Sequence, residues 1–162
     1  MRRRTLWLGM RHLALLLVLG IGLAGMITVS PQSASPALAA GCYRESCFGK
    51  DPNAMGCTGA VTLASRYGNG GADGIELRYS PVCGAMWARF THDGFNCCVT
   101  VSISEVQQRP ITPYGGWGTT GRQTKYFTYT EGTWWTAMNP DVGDDRHRAC
   151  FDFTGMCTDW RL

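Results

Sequence analysis

Three signatures of chemistry are missing from this chain of 162 residues. There is no Cys-x-x-Cys pair, so the cysteine spacings do not make zinc knuckles. There is no Gly-x-Ser-x-Gly elbow; Ser65, Ser80, Ser102 and Ser104 all stand outside one, which removes a familiar setting for a serine nucleophile. EF-hand spacing is absent as well. The stretch Asn139-Pro-Asp141-Val-Gly-Asp144-Asp145 has enough hard oxygens for calcium. Arg146, His147 and Arg148 follow at once to pair with those carboxylates, so it reads as a solvated turn and no metal is expected. Internal repeats and coiled-coil heptads are also lacking.

Net positive charge is missing too, once the N-terminus is set apart. Met1-Arg-Arg-Arg, with Arg11 and His12, is a positive segment, Leu13 to Val29 is an apolar run, and Ala37-Leu38-Ala39 is a small-x-small cleavage site. This pattern predicts a helical signal peptide over residues 1–39 and a mature domain over 40–162, which is 123 residues. The removed piece holds four arginines and no acid, leaving 11 Lys+Arg against 12 Asp+Glu and a net charge of −1 in place of +3. Electrostatic support for a nucleic-acid partner goes with it. The apolar run is close to spanning length, but the Ser/Pro-rich segment 30–36 and the Ala-rich site after it favour cleavage over an anchor. General secretion fits so apolar a run better than a twin-arginine route from Arg3-Arg4. A lipidated Cys42 would leave seven cysteines, an odd number. The expected location is therefore secreted, extracellular or cell-wall associated, with no membrane contact after cleavage.

All eight cysteines lie in the mature part: Cys42, Cys47, Cys57, Cys83, Cys97, Cys98, Cys150 and Cys157. An even count behind an export signal predicts disulfides, because that environment is oxidising. Cys57 and Cys83 flank the first two strands and are expected to bridge. Cys42 is near enough to Cys47, and Cys150 to Cys157, for local bridges. Cys97 and Cys98 are neighbours on a strand and point to opposite faces, so they take partners that the sequence leaves open. A reactive thiol beside His92 is the competing reading, and the even count weighs against it.

Strand patterns dominate the mature chain. Residues 75–90 alternate on both sides of Pro81-Val82-Cys83-Gly84, which reads as a four-residue hairpin loop closed by Gly84. One register pairs Tyr79 with Met86, Leu77 with Ala88 and Ile75 with Phe90 on an apolar face. The same register sets Arg78 against Trp87, a cation–aromatic contact, and Glu76 against Arg89, an ion pair. Ala60–Tyr67 reads as a preceding strand with Val61, Leu63 and Ser65 inward, and Gly68–Gly74 as its turn into the hairpin. Val99, Val101 and Ile103 alternate against Thr100, Ser102 and Ser104 in another strand. Residues 105–121 look like a long irregular loop. A second hairpin is expected over 122–139 around Glu131-Gly132, pairing Tyr129 with Trp134, Phe127 with Thr136 and Lys125 with Met138. Arg148–Phe153 completes the set. The fold class predicted is all-β: a single small disulfide-stapled domain of about seven antiparallel strands, as a sandwich or partly open barrel.

Cys47-x-Gly-Lys-Asp-Pro, Gly56-Cys57, Glu76-Leu-Arg-Tyr-Ser with Cys83, Trp87-Ala-Arg89 and a late Ala149-Cys150 occur together. In this combination the chain resembles a family of small exported proteins of actinobacteria and bacilli known only as a domain of unknown function. The resemblance implies a Gram-positive source, export and a Cys-stapled, mostly-β domain. It implies no activity, substrate, cofactor or catalytic residue.

Candidate site residues follow from side-chain chemistry. Only His92 and His147 remain after signal removal, each near an Asp in sequence, and Glu76, Glu105 and Glu131 are the glutamates considered for a carboxylate pair. Tyr114, Trp117, Tyr126 and Trp135 are assigned to an outward platform for stacking on sugar rings or on a protein. Trp135 and Tyr126 are expected to be diagonal neighbours on one strand pair. The first expectation is thus a non-enzymatic exported module binding cell-wall glycan or an extracellular protein, without a cofactor. The alternatives are an exported hydrolase using His92 or His147 with a carboxylate, and a secreted inhibitor or toxin-like protein.

Overall fold

The computed structural model describes residues 40–94, 100–110 and 116–162. The expected signal peptide, Cys97, Cys98 and Tyr114 lie outside the described residues. Val61–Gly68 (β1), Asp73–Ser80 (β2) and Ala85–His92 (β3) form an antiparallel meander. The β2–β3 register pairs Ile75 with Phe90, Leu77 with Ala88 and Tyr79 with Met86, as the two-faced pattern predicts. Gly84 closes the loop with φ of 56°, a left-handed conformation that costs a residue with a Cβ about 1–2 kcal/mol. Its N–H donates to the Ser80 carbonyl at 2.8 Å.

Among the described residues six further strands follow: Thr100–Pro110 (β4), Trp117–Thr128 (β5), Gly132–Trp135 (β6), Asn139–Pro140 (β7), Arg146–Phe151 (β8) and Met156–Cys157 (β9). The first sheet runs β1-β2-β3-β6, with β7 also on β3; the second runs β5-β4-β8-β9. The sheets do not close on one another, which makes the fold a sandwich. Ile75, Leu77, Met86, Ala88 and Phe90 of the first sheet meet Ile103, Phe127, Ala149 and Phe151 of the second in one buried cluster. Phe90 stacks on Phe151 at 4.2 Å between centroids, and Phe127 on Trp134 at 4.1 Å. Each such ring buried contributes roughly 1.5–3 kcal/mol.

Five expectations are corrected here. The 122–139 segment is not a hairpin: β5 pairs with β4 along almost its whole length, whereas β6 joins β3 in the other sheet. The eleven paired positions on β4 outweigh the few that the four-residue β6 offers. Gly132, at φ of 152°, carries the chain from one sheet to the other, and Trp134 therefore meets Phe127 across the sandwich rather than along a ladder. The loop expected over 105–121 is largely strand, because Glu105 and Gln107 face inward and invert the polarity that marks a half-buried strand. A bulge between Thr62 and Ala64 re-aims β1, so that Ala64 lies opposite Leu77 in the core while Val61 is exposed. Arg78 does not stack on Trp87; its guanidinium donates to Thr62 Oγ1 at 2.5 Å and to the Ala60 carbonyl at 2.7 Å, near Glu76. The last long strand is Arg146–Phe151 rather than Arg148–Phe153, with Phe153 exposed in the turn to β9.

The outer face of the first sheet is covered as well. Residues 40–57 cross it and are fastened by Arg44 N–H to the Cys83 carbonyl (2.7 Å), Gly49 N–H to the Met138 carbonyl (2.9 Å) and Met138 N–H to the Lys50 carbonyl (2.9 Å). Beneath them Cys47, Cys83, Ala85, Trp87 and Met138 form a second apolar cluster, with Trp135 packed against it. Disulfides join Cys42 to Cys47, Cys57 to Cys83 and Cys150 to Cys157. The sulfurs of Cys42, Cys57 and Cys83 lie within 4.8 Å of one another. All three are oxidised in bridges and are not thiolates that could ligate a metal.

Candidate functional site

Alternation along β4 and β8 directs Glu105, Gln107 and His147 into the sandwich. His147 Nδ1 lies 2.8 Å from Glu105 Oε1, and Asn139 donates its amide to the other carboxylate oxygen. Gln123 donates in turn to Asn139 Oδ1 at 3.3 Å. Burial pushes the Glu105 carboxyl above its ordinary range, against the pull of the hydrogen bonds from His147 and Asn139. Beside this pair, Gln107 donates to Asp145, whose carboxylate also takes the Arg109 fork at 2.7 and 2.9 Å. That bond raises the Arg109 pKa. Asp145 is accordingly buried in a pair with Arg109 across the sheet and is not part of a solvated turn paired with Arg146–Arg148.

A second histidine–carboxylate pair closes the other end. His92 Nδ1 is 2.7 Å from Asp73 Oδ1, and the Tyr129 hydroxyl donates to the same oxygen at 2.6 Å. The His92 and Tyr129 rings lie 4.3 Å apart between centroids, tilted by 32°. Neither histidine uses the Asp near it in sequence; the fold supplies partners 19 and 42 positions away. In both, Nδ1 is held and Nε2 has no partner among the described residues. Such a dyad can exchange a proton between imidazole and carboxylate. The two rings are 1% and 0% exposed, so no reactant of any size meets them in this conformation.

The outer side of the second sheet is exposed along β5, whereas Ser104, Val106 and Cys150 on its inner strands are buried. Its cross-strand rows are Thr119–Gln108–Arg146, Arg122–Val106–Arg148, Thr124–Ser104–Cys150 and Tyr126–Ser102. A bulge leaves Thr120 unpaired between Thr119 and Gly121. On a regular strand residues nine apart fall on opposite faces; the bulge takes up one position, so Trp117 and Tyr126 are both outward. Tyr126 is 70% exposed and Trp117 39%. Arg146 lies over the Trp117 ring at 4.0 Å, and Arg148 over Trp160 at 4.5 Å. Arg122 reaches Asp152 at 2.8 Å and Ser104 at 3.1 Å.

The expected platform is thus divided. Trp117 and Tyr126 share this face. Trp135 belongs to the first sheet, so it is no diagonal neighbour of Tyr126, and its indole N–H donates to Asp51 at 2.9 Å beneath the 40–57 segment. Asp73, Tyr129, Arg146, Arg148 and Trp160 were not singled out by sequence reasoning as members of a site. The alternation Arg146-x-Arg148 on a strand is the signal that marks the two arginines as sharing a face; nothing local marks Asp73 or Trp160.

A family model described as "Protein of unknown function (DUF2690)" matches residues 45–150. No curated protein and no solved structure matches the chain.

Proposed function

Since the chain belongs to that family of proteins of unknown function, it inherits no activity, and we propose that it is an exported, non-enzymatic binding module. It holds a cell-wall or other extracellular partner on the outer face of its second sheet. The observation that carries this reading is the Thr120 bulge, which brings Trp117 and Tyr126 onto one exposed face. Exposed aromatic rings on a rigid strand offer stacking area at low entropic cost. Export fits the disulfides, which persist in oxidising surroundings. Among the described residues no helix is long and apolar enough to cross a membrane. Co-sedimentation with purified peptidoglycan tests the reading. The protein pellets with the wall, and the Trp117→Ala/Tyr126→Ala variant stays in the supernatant; equal pelleting of the two removes this face from the binding account.

One observation favours a hydrolase as the second reading: each histidine is oriented by a carboxylate through Nδ1, which leaves Nε2 free to act as a base. An opening of the sandwich would be needed to expose it. Screening against peptide, ester and glycan substrates addresses it. Turnover that survives both His92→Asn and His147→Asn eliminates these dyads.

A further inference from the structure

We infer that the partner held on the outer face of the second sheet is a linear anionic polysaccharide, with its carboxylates on the arginines and its sugar rings on the aromatic side chains. This rests on the binding-module reading and adds the chemistry of the ligand. Arg122, Arg146 and Arg148 all lie on this face, and Asp152 is the acid that meets them, through Arg122. The face therefore carries two positive charges beyond its internal pair, on a mature chain whose overall charge is −1. Its positive character is local.

Stacking determines how these arginines present themselves. A guanidinium lying over an indole has its fork of N–H donors directed around the ring edge. That plane is fixed without loss of charge, which suits bidentate donation to a carboxylate. Arg146 on Trp117 and Arg148 on Trp160 are both in this arrangement. The Nε of Arg148 is buried, so a ligand would be met by its terminal N–H groups. Arg122 and Arg148 occupy one cross-strand row and Arg146 the next row on β8. From Trp117 to Tyr126 the partner strand β4 advances eight residues, from Pro110 to Ser102, or about 27 Å at the usual antiparallel rise. A track of that length, with cations in the middle and exposed aromatic rings at both ends, fits an extended chain better than a compact ligand.

Binding of the protein to three immobilised polymers of matched length tests this: alginate as the polyuronate, dextran as the neutral glycan, and poly-L-glutamate as a carboxylate polymer without sugar rings. Alginate is expected to bind and to be released by salt, with dextran and poly-L-glutamate each at least tenfold weaker. Arg146→Gln/Arg148→Gln should weaken alginate binding at least tenfold. Arg146→Lys/Arg148→Lys, which keeps the charge and loses the stacked fork, should weaken it about threefold. If the double Gln variant loses its near-ultraviolet circular dichroism, Arg122→Gln carries the test, with a loss of about threefold expected. Dextran bound as well as alginate, with no effect of the arginine changes, overturns the anionic ligand and leaves the binding-module reading intact. Poly-L-glutamate bound as well as alginate overturns the polysaccharide and assigns the face to acidic peptide. Binding of none of the three, together with no pelleting on peptidoglycan, overturns both readings.

Discussion

Asp51 shows how much a single side chain joins in this protein. Its carboxylate accepts from the backbone N–H groups of Asn53 and Ala54, at 2.8 and 2.9 Å, and from the Trp135 indole at 2.9 Å. Burial pushes its pKa up, but those bonds and the nearby Lys125 outweigh it, so the folded value lies below the ordinary 3.8. A carboxyl with a depressed folded pKa adds stability that is fully present above its unfolded pKa and is lost as pH falls through the folded one. Asp51→Asn should therefore lower the urea midpoint at pH 7, and the difference from the parent should be smaller at pH 2. An equal difference at both pH values would show that the carboxylate charge plays no part in holding residues 40–57 against the first sheet.

At the scale of elements, the bulge in β5 is the feature with functional reach. The ladder with β4 is in register on both sides of Thr120, so deleting Thr120 leaves a regular ladder with Trp117 still opposite Pro110 and outward, whereas deleting Gly118 sets Trp117 opposite Arg109, on the face of Gln107. Trp117 would then point inward and Arg146 would lose its ring. We expect the Gly118 deletion to abolish co-sedimentation with peptidoglycan while β4 amides keep their slow hydrogen exchange; retained wall binding would detach Trp117 from function. The two ladders also show what strand patterns reveal. The β2–β3 hairpin was readable because one register satisfied two faces at once, Ile75, Leu77 and Phe90 on one and Glu76 with Arg89 on the other. Of β4 only the first part was legible as a strand, and its pairing with β5 was not. Beyond Ser104 it buries Glu105 and Gln107, and inward polar residues look like loop until their partners on β7 and β8 are known. The same blindness hid the His147 and His92 dyads, whose carboxylates come from distant strands.

On the scale of the whole molecule, the three described bridges do unequal work. In the chain-entropy account, closing the 26-residue separation of Cys57–Cys83 stabilises by about 3.5 kcal/mol, against about 2 kcal/mol for the five-residue Cys42–Cys47 loop. Cys57→Ser/Cys83→Ser should therefore lower stability more than Cys42→Ser/Cys47→Ser, read as the difference in unfolding free energy from urea titration. The reverse order would mean that native contacts of the 40–57 segment, rather than loop closure, set the balance. The sequence alone determined the β class, the central hairpin and its register, and the local cysteine pairs, because each depends on alternation or spacing within a short stretch. Only the tertiary structure decided which sheet each later strand joins, that Trp117 and Tyr126 share a face while Trp135 does not, and which carboxylate meets each histidine. Those outcomes turn on one unpaired residue in β5 and on competition between distant strands for the same partners, and neither leaves a periodic trace along the chain.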